Sequence, residues 1–90
     1  MEVIMALTDA VYALNEIAAG RTPDRACLVA GALALDTIRL RGGASREVLD
    51  AAAGLELLAT GGTLDLDAQG RIRAKHLADV VATLNNKDAH

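Results

Sequence analysis

Aromatic side chains are nearly missing from this chain of 90 residues. It has no Phe and no Trp, and Tyr12 is its one aromatic residue. Because aromatic side chains usually dominate core burial, the core must be built from Ala, Leu, Val and Ile. Small domains with this deficit often complete their core through oligomerisation. We therefore expect a homodimer, with Leu28 and Leu35 of an apolar second helix in the core or at the dimer contact.

Cysteine and long apolar runs are also scarce. Cys27 is the single cysteine, so no internal disulfide can form, and its apolar neighbours predict a small buried side chain. The longest apolar stretch, residues 26–35, is far shorter than the roughly 20 residues that a membrane-spanning helix needs. The N-terminus has no signal-peptide pattern. These absences predict a cytoplasmic protein in a reducing compartment, with no membrane-embedded part.

Groups that carry catalytic chemistry are few. His76 and His90 are the two histidines, so a cysteine–histidine pair would require Cys27 to meet His76. A zinc site needs three or four Cys, His or acidic ligands, and the sequence does not group them. We expect no enzymatic activity, no cofactor and no metal.

The charge balance is mildly acidic, with a net charge of −3 and a pI near 5.2. This balance argues against a general nucleic-acid-binding protein, which is usually basic. The acidic residues are scattered singly, as on a solvated surface, and no carboxylate pair stands out on an apolar face. Asp36 is the nearest case, and we expect it to pair with Arg39 or Lys75, or to be exposed.

Apolar residues at three- and four-residue spacing predict three amphipathic helices. These helices span residues 2–19, about 45–60 and about 75–85. Ser45 is the candidate N-cap of the middle one, and Gly20 is placed to end the first.

A further helix, second in chain order, has a clear start signal. Thr22 is the predicted N-cap, Pro23 occupies the first helical position, and Asp24 adds negative charge to the first turn. The helix then runs to about Arg41. Because residues 26–35 are apolar all round, we expect a central helix that the other three cover.

The periodicity changes before the last helix. Residues 63–67 and 71–74 alternate polar and apolar side chains, and Gly70 lies in the turn between them, which predicts a short β-hairpin. The predicted fold is mainly α: a compact four-helix domain over residues 1–90, with a short β-hairpin before the last helix.

The outer side of this hairpin is the candidate partner-binding surface. Arg71 and Arg73 alternate with Ile72, so their side chains are expected to project together, and Lys75 continues the row. Acidic residues of the facing strand are expected to pair with the arginines. Because Arg is enriched at interface anchors, we predict that Arg71, Arg73 and Lys75 bind an acidic partner surface.

Two short motifs overlap the hairpin. Residues 65–76 partly match a calcium-binding loop, but His76 stands where the loop requires a bidentate acid, so we expect no calcium site. Residues 54–62 and 64–73 resemble the helix end and wing of winged-helix proteins, in which a helix enters the major groove. The resemblance implies phosphate contacts from the basic residues of the hairpin. The corresponding helix departs from the family, because Arg46 is its one basic residue beside three acidic ones.

Taken together, these features favour a non-enzymatic protein–protein interaction module. Such a chain can act as an adaptor, an assembly subunit or an inhibitor of a larger protein, as many small phage-encoded proteins do; that last comparison is an analogy of size and character. The alternative is a winged-helix-like regulator that binds nucleic acid through the 63–75 hairpin.

Overall fold

The computed structural model describes residues 2–42, 45–62 and 67–88, with side chains over 7–42, 45–62 and 67–84. This part of the chain contains four α-helices and no strand. The helices are α1 (Glu2–Ala18), α2 (Arg25–Leu40), α3 (Arg46–Ala59) and α4 (Ala68–Asp88). The predicted compact, mainly helical fold is confirmed, with a Cα radius of gyration of 11.7 Å.

The four helices form a bundle in chain order. Each helix packs against its neighbours in the sequence, and α4 closes the bundle by packing against α1. Over the described residues, α1 meets α3 only slightly across the diagonal, and α2 and α4 do not contact each other. The expectation that the other three helices cover α2 is therefore wrong. The helix with neighbours on most sides is α1.

Small side chains allow the four helices to pack closely. Over the described side chains, about half of the buried apolar residues are alanines, and each helix contributes some of them. At the crossing of α1 and α2, Gly31 lies directly against the backbone of Ala10. Leu28 and Leu35, predicted for the core or a dimer contact, are buried in the core of the single chain, with 4% and 0% of their surface exposed.

Helix boundaries follow the capping signals with one correction. Gly20 has φ +81° after α1, and the Ser45 side chain accepts a hydrogen bond from the Val48 N–H, so both predicted roles are confirmed. The predicted N-cap Thr22 is wrong, because α2 begins two residues later. Asp24 has the extended backbone of an N-cap residue, and its carbonyl accepts the first helical bond from Leu28. Pro23 therefore precedes the helix.

The predicted β-hairpin is also wrong. Residues 71–74, assigned to its second strand, lie inside α4, and Gly70 is a helical residue instead of a turn. Residues 63–66 of the first strand lie outside the described residues. Asp67 provides the physical reason, because its carboxylate accepts a hydrogen bond of 2.8 Å from the Gly70 N–H and so caps the helix.

The core-facing side of α4 explains why the helix continues through this segment. The buried positions recur at three- and four-residue steps: Ala74, Leu77, Ala78 and Val81. This spacing begins inside the stretch that alternation assigned to a strand. Packing of this side against α1 therefore outweighs the four-residue alternation.

Candidate interaction surface

The three basic residues predicted to bind a partner do not project together. Arg71 and Arg73 lie on α4, where a separation of two residues corresponds to about 200° around the helix axis. Arg73 forms an ion pair with Asp50 of α3, and Lys75 pairs with Asp79 at 3.1 Å. Arg71 and Lys75, four residues apart, share a side of α4 that faces away from Arg73.

The helical conformation of residues 71–74 also removes the wing of the winged-helix interpretation. Without a wing, the predicted nucleic-acid contacts of the hairpin have no structural basis. The calcium-loop interpretation falls on the same segment, and the Asp67 carboxylate is used there to cap α4. Within the described ranges, no group of three or more His, Cys, Asp or Glu residues is placed to hold a metal ion.

Cys27 is half-buried on α2, less enclosed than predicted. Its Sγ lies 3.9 Å from Asp9 Oδ1. Burial, together with the negative charge of Asp9, raises the pKa of the Cys27 thiol above its ordinary value. His76 lies on α4, which does not contact α2 in the described part of the chain, so the cysteine–histidine pair is not assembled.

A row of exposed apolar residues runs along α2. Val29, Leu33 and Leu40 have 40%, 62% and 80% of their surface exposed. With Asp36, these residues follow the spacing i, i+4, i+7 and i+11, so they occupy one side of the helix. The sequence indicated burial for Val29 and Leu33, but no other described helix covers this row.

A matching row runs along α3 with the same spacing. It consists of Leu49, Ala53, Glu56 and Thr60, and Leu49 is 41% exposed. The residues of the two rows that line a shared groove between α2 and α3, of about 280 Å³, are Val29, Leu33, Asp36, Glu56 and Thr60. We call the two rows together the α2/α3 face.

An acidic pair lies in the middle of the α2/α3 face. Asp36 of α2 and Glu56 of α3 line the same groove. A hydrogen bond between their carboxyl groups, together with the negative charge of Asp36, raises the pKa of Glu56 above its usual value. Arg39 Nε lies 3.2 Å from Asp36 Oδ1, so of the alternatives left open for Asp36 the structure shows the pairing with Arg39, which offsets part of the negative charge.

The sequence alone does not reveal this pair. Asp36 stands there as an isolated acid, and no carboxylate pair is evident on an apolar face. The residue that completes the pair is on the next helix, and α2–α3 packing brings the two together. The sequence does contain one signal for this surface: the spacing i, i+4, i+7 and i+11 occurs on both α2 and α3.

Ile72 lies on α4, at the corner of the bundle opposite α2, and its side chain projects from the helix. Its side chain is 67% exposed and separates two shallow grooves. One groove, of about 560 Å³, is lined by Ala18 and Ala19 of α1 together with Arg71 and Lys75. Arg71, Ile72 and Lys75 thus form a basic and apolar surface, which we call the α4 ridge.

Comparison with known proteins finds no matching family model, no matching curated protein and no matching solved structure. None of the helices, over the residues that the structure describes, is both long and apolar enough to cross a membrane.

Proposed function

We propose that this chain is a non-enzymatic protein–protein interaction module that self-associates through the α2/α3 face, with a homodimer as its smallest assembly. The observation that carries the proposal is the exposed apolar row of α2. Single exposed apolar residues are common on protein surfaces and need no explanation. Here Leu33 and Leu40 lie on one side of one helix, beside a second row on α3.

Burial of exposed apolar residues supplies the free energy for association. Seven large apolar residues are exposed over the described side chains, and four of them belong to the α2/α3 face: Val29, Leu33, Leu40 and Leu49. Full burial of a Val or Leu side chain stabilises by about 1.5–3 kcal/mol relative to exposure. Since the core is rich in alanine, burying this face supplies apolar area that the single chain lacks.

The groups in the groove support binding better than catalysis. Glu56 is exposed and the Asp36 side chain is 28% exposed, whereas carboxylates used as acid and base are usually held in a closed site. The Thr60 hydroxyl shares its one proton between the backbone carbonyls of Glu56 and Leu57, at 3.0 and 3.1 Å, so this proton is engaged within α3. A polar centre within an apolar groove is typical of a surface that orients a partner.

Sedimentation equilibrium tests the proposal directly. The wild-type chain should form dimers or larger species between micromolar and millimolar concentrations. Leu33→Glu should weaken this association, because it places a charge in the centre of the apolar row. Tyr12→Glu is the matched control, since Tyr12 is also exposed (49%) but lies on α1, outside the face.

Two results would contradict the proposed function. One is a wild-type chain that remains monomeric at millimolar concentration. The other is equal weakening by Leu33→Glu and Tyr12→Glu, which would indicate a general effect of added charge. Circular dichroism and thermal melting of each variant establish that the fold is intact.

A further inference from the structure

We propose that the occupant of the α2/α3 face is the α4 ridge of a second copy, so that the chain assembles head to tail. This inference rests on the proposed function, because it names the partner of the same face. Ile72 of one copy enters the groove between α2 and α3 of the next. Arg71 and Lys75 beside it approach the Asp36–Glu56 pair.

Charge complementarity is the first support. The α2/α3 face has two carboxylates at its centre, and Arg39 offsets one of them. The α4 ridge has two cations next to its exposed apolar residue. Over the described residues, the ridge has one ion pair, between Lys75 and Asp79. Their side chains are 62% and 66% exposed, so this pair only weakly opposes the movement of Lys75 towards a carboxylate of a second copy. Opposite charges on the two surfaces favour the encounter and fix its orientation.

Shape is the second support. The groove between α2 and α3 has about 280 Å³, slightly below the usual size of a small-molecule pocket, and its apolar walls include Val29 and Leu33. A single branched aliphatic side chain suits such a groove. Ile72 is the one large apolar residue of α4 that is exposed over the described side chains, and it lines a shallow groove on each side.

The acidic pair also argues against the simplest alternative, a two-fold dimer in which the α2/α3 face meets itself. A two-fold axis through the centre of the face would bring the Asp36–Glu56 pair of one copy against the same pair of the other. Like charges brought together at an interface core are unfavourable. The basic α4 ridge avoids this repulsion.

The position of the two surfaces determines the form of the assembly. α2 and α4 occupy opposite corners of the bundle and do not contact each other over the described residues, so one copy presents both surfaces at once. Such a contact joins two different surfaces and is heterologous. Heterologous contacts give rings when the rotation closes and open chains when it does not. The assembly therefore extends beyond a dimer as concentration rises.

Complementation between two disabled variants is the decisive experiment. Leu33→Glu disables the groove and leaves the ridge intact, whereas Ile72→Glu disables the ridge and leaves the groove intact. Both positions are more than 60% exposed, so neither change disturbs the core. Each variant alone should self-associate at least about ten-fold more weakly than the wild type, the loss expected for an interface anchor. An equimolar mixture should form a heterodimer and nothing larger, because its remaining surfaces are both disabled.

The outcomes separate the inference from the proposed function. If Leu33→Glu weakens association but Ile72→Glu does not, and mixing fails to restore a complex, the face is used but its occupant is another surface, and the head-to-tail inference is overturned. If neither variant differs from Tyr12→Glu, the proposed function itself fails. A heterodimer in the mixture, measured by sedimentation velocity, supports both.

Discussion

Gly31 of α2 and Ala10 of α1 are in direct backbone contact: a Cβ atom built on Gly31 would lie 2.8 Å from the Ala10 Cα. Real Cβ atoms do not approach other atoms so closely, and the Ala10 backbone cannot move aside as a flexible side chain does. The absence of a side chain at position 31 thus sets the distance between two helices. This contact helps to fix α2 in the orientation that leaves its apolar row exposed.

Gly31→Ala should therefore destabilise the fold. Alanine favours the helix over glycine by about 1 kcal/mol, but overpacking a tight contact costs about 1–3 kcal/mol. We expect a net loss in the free energy of unfolding, measured by urea denaturation. Ala53→Gly, at a helical position that is exposed in the single chain, is the control that gives the intrinsic Ala–Gly difference when it is measured at a concentration where the chain is monomeric. A stabilised Gly31→Ala variant would show that α1 and α2 separate easily.

Asp67→Ala tests the start of α4. The Asp67 carboxylate caps the helix through the Gly70 N–H, and loss of such a cap typically costs about 1 kcal/mol. Thr22→Ala is the matched control, because Thr22 precedes α2 and is not its N-cap. We expect a lower urea midpoint for Asp67→Ala and a nearly unchanged midpoint for Thr22→Ala. The reverse order would restore Thr22 as the cap of α2.

Glu56→Gln should stabilise the protein at neutral pH. The folded-state pKa of Glu56 is raised, so the folded protein binds this proton more tightly than the unfolded chain, and the repulsion from Asp36 is felt only above that pKa. The amide keeps the ability to donate to Asp36 and has no charge. For a surface site we expect a gain of at most about 0.5 kcal/mol. The gain in stability should shrink as the pH falls towards 4.5, the ordinary pKa of a Glu side chain.

Glu16→Gln is the control, and it should change the free energy of unfolding in the opposite direction. A hydrogen bond from Arg21 to Glu16, at 3.0 Å for the Arg21 Nε, lowers the pKa of this carboxyl. Its contribution is present at neutral pH and is lost as the pH falls through the folded-state pKa. Glu16→Gln should therefore destabilise at neutral pH, with a difference that fades in acid. Urea titrations over a pH series measure both variants, and equal signs for the two would contradict the assignment.

Much of the fold follows from the sequence. Three- and four-residue spacing located α1 and α3, and Gly20 and Ser45 were correctly placed at helix ends. Both are local signals, because spacing and capping depend on residues a few positions apart. The segment 71–74 failed because four alternating residues are too few to separate a strand from the edge of an amphipathic helix. Asp67, read there as a strand residue, was the capping signal that resolves the ambiguity.

The candidate site was not predictable to the same extent. A helix that is apolar all round does not reveal which of its sides a neighbour leaves open, so the exposure of Leu33 depends on the bundle as a whole. The contact between Asp36 and Glu56 likewise requires the packing of α2 on α3. The sequence identified the basic residues Arg71, Arg73 and Lys75, but the direction expected for their side chains assumed a β-hairpin. On a helix, Arg71 and Lys75 share a side and Arg73 pairs with α3 instead.

Amide chemical shifts recorded over a dilution series test whether the α2/α3 face binds the α4 ridge of a second copy. Raising the concentration should shift two groups of amides together: those around Leu33 and Glu56 on the α2/α3 face, and those around Ile72 on the α4 ridge. Amides around Tyr12 on α1 should remain unchanged and serve as the internal reference. Shifts that are absent up to millimolar concentration, or confined to α1, would contradict the claim that the α2/α3 face binds a second copy of the chain.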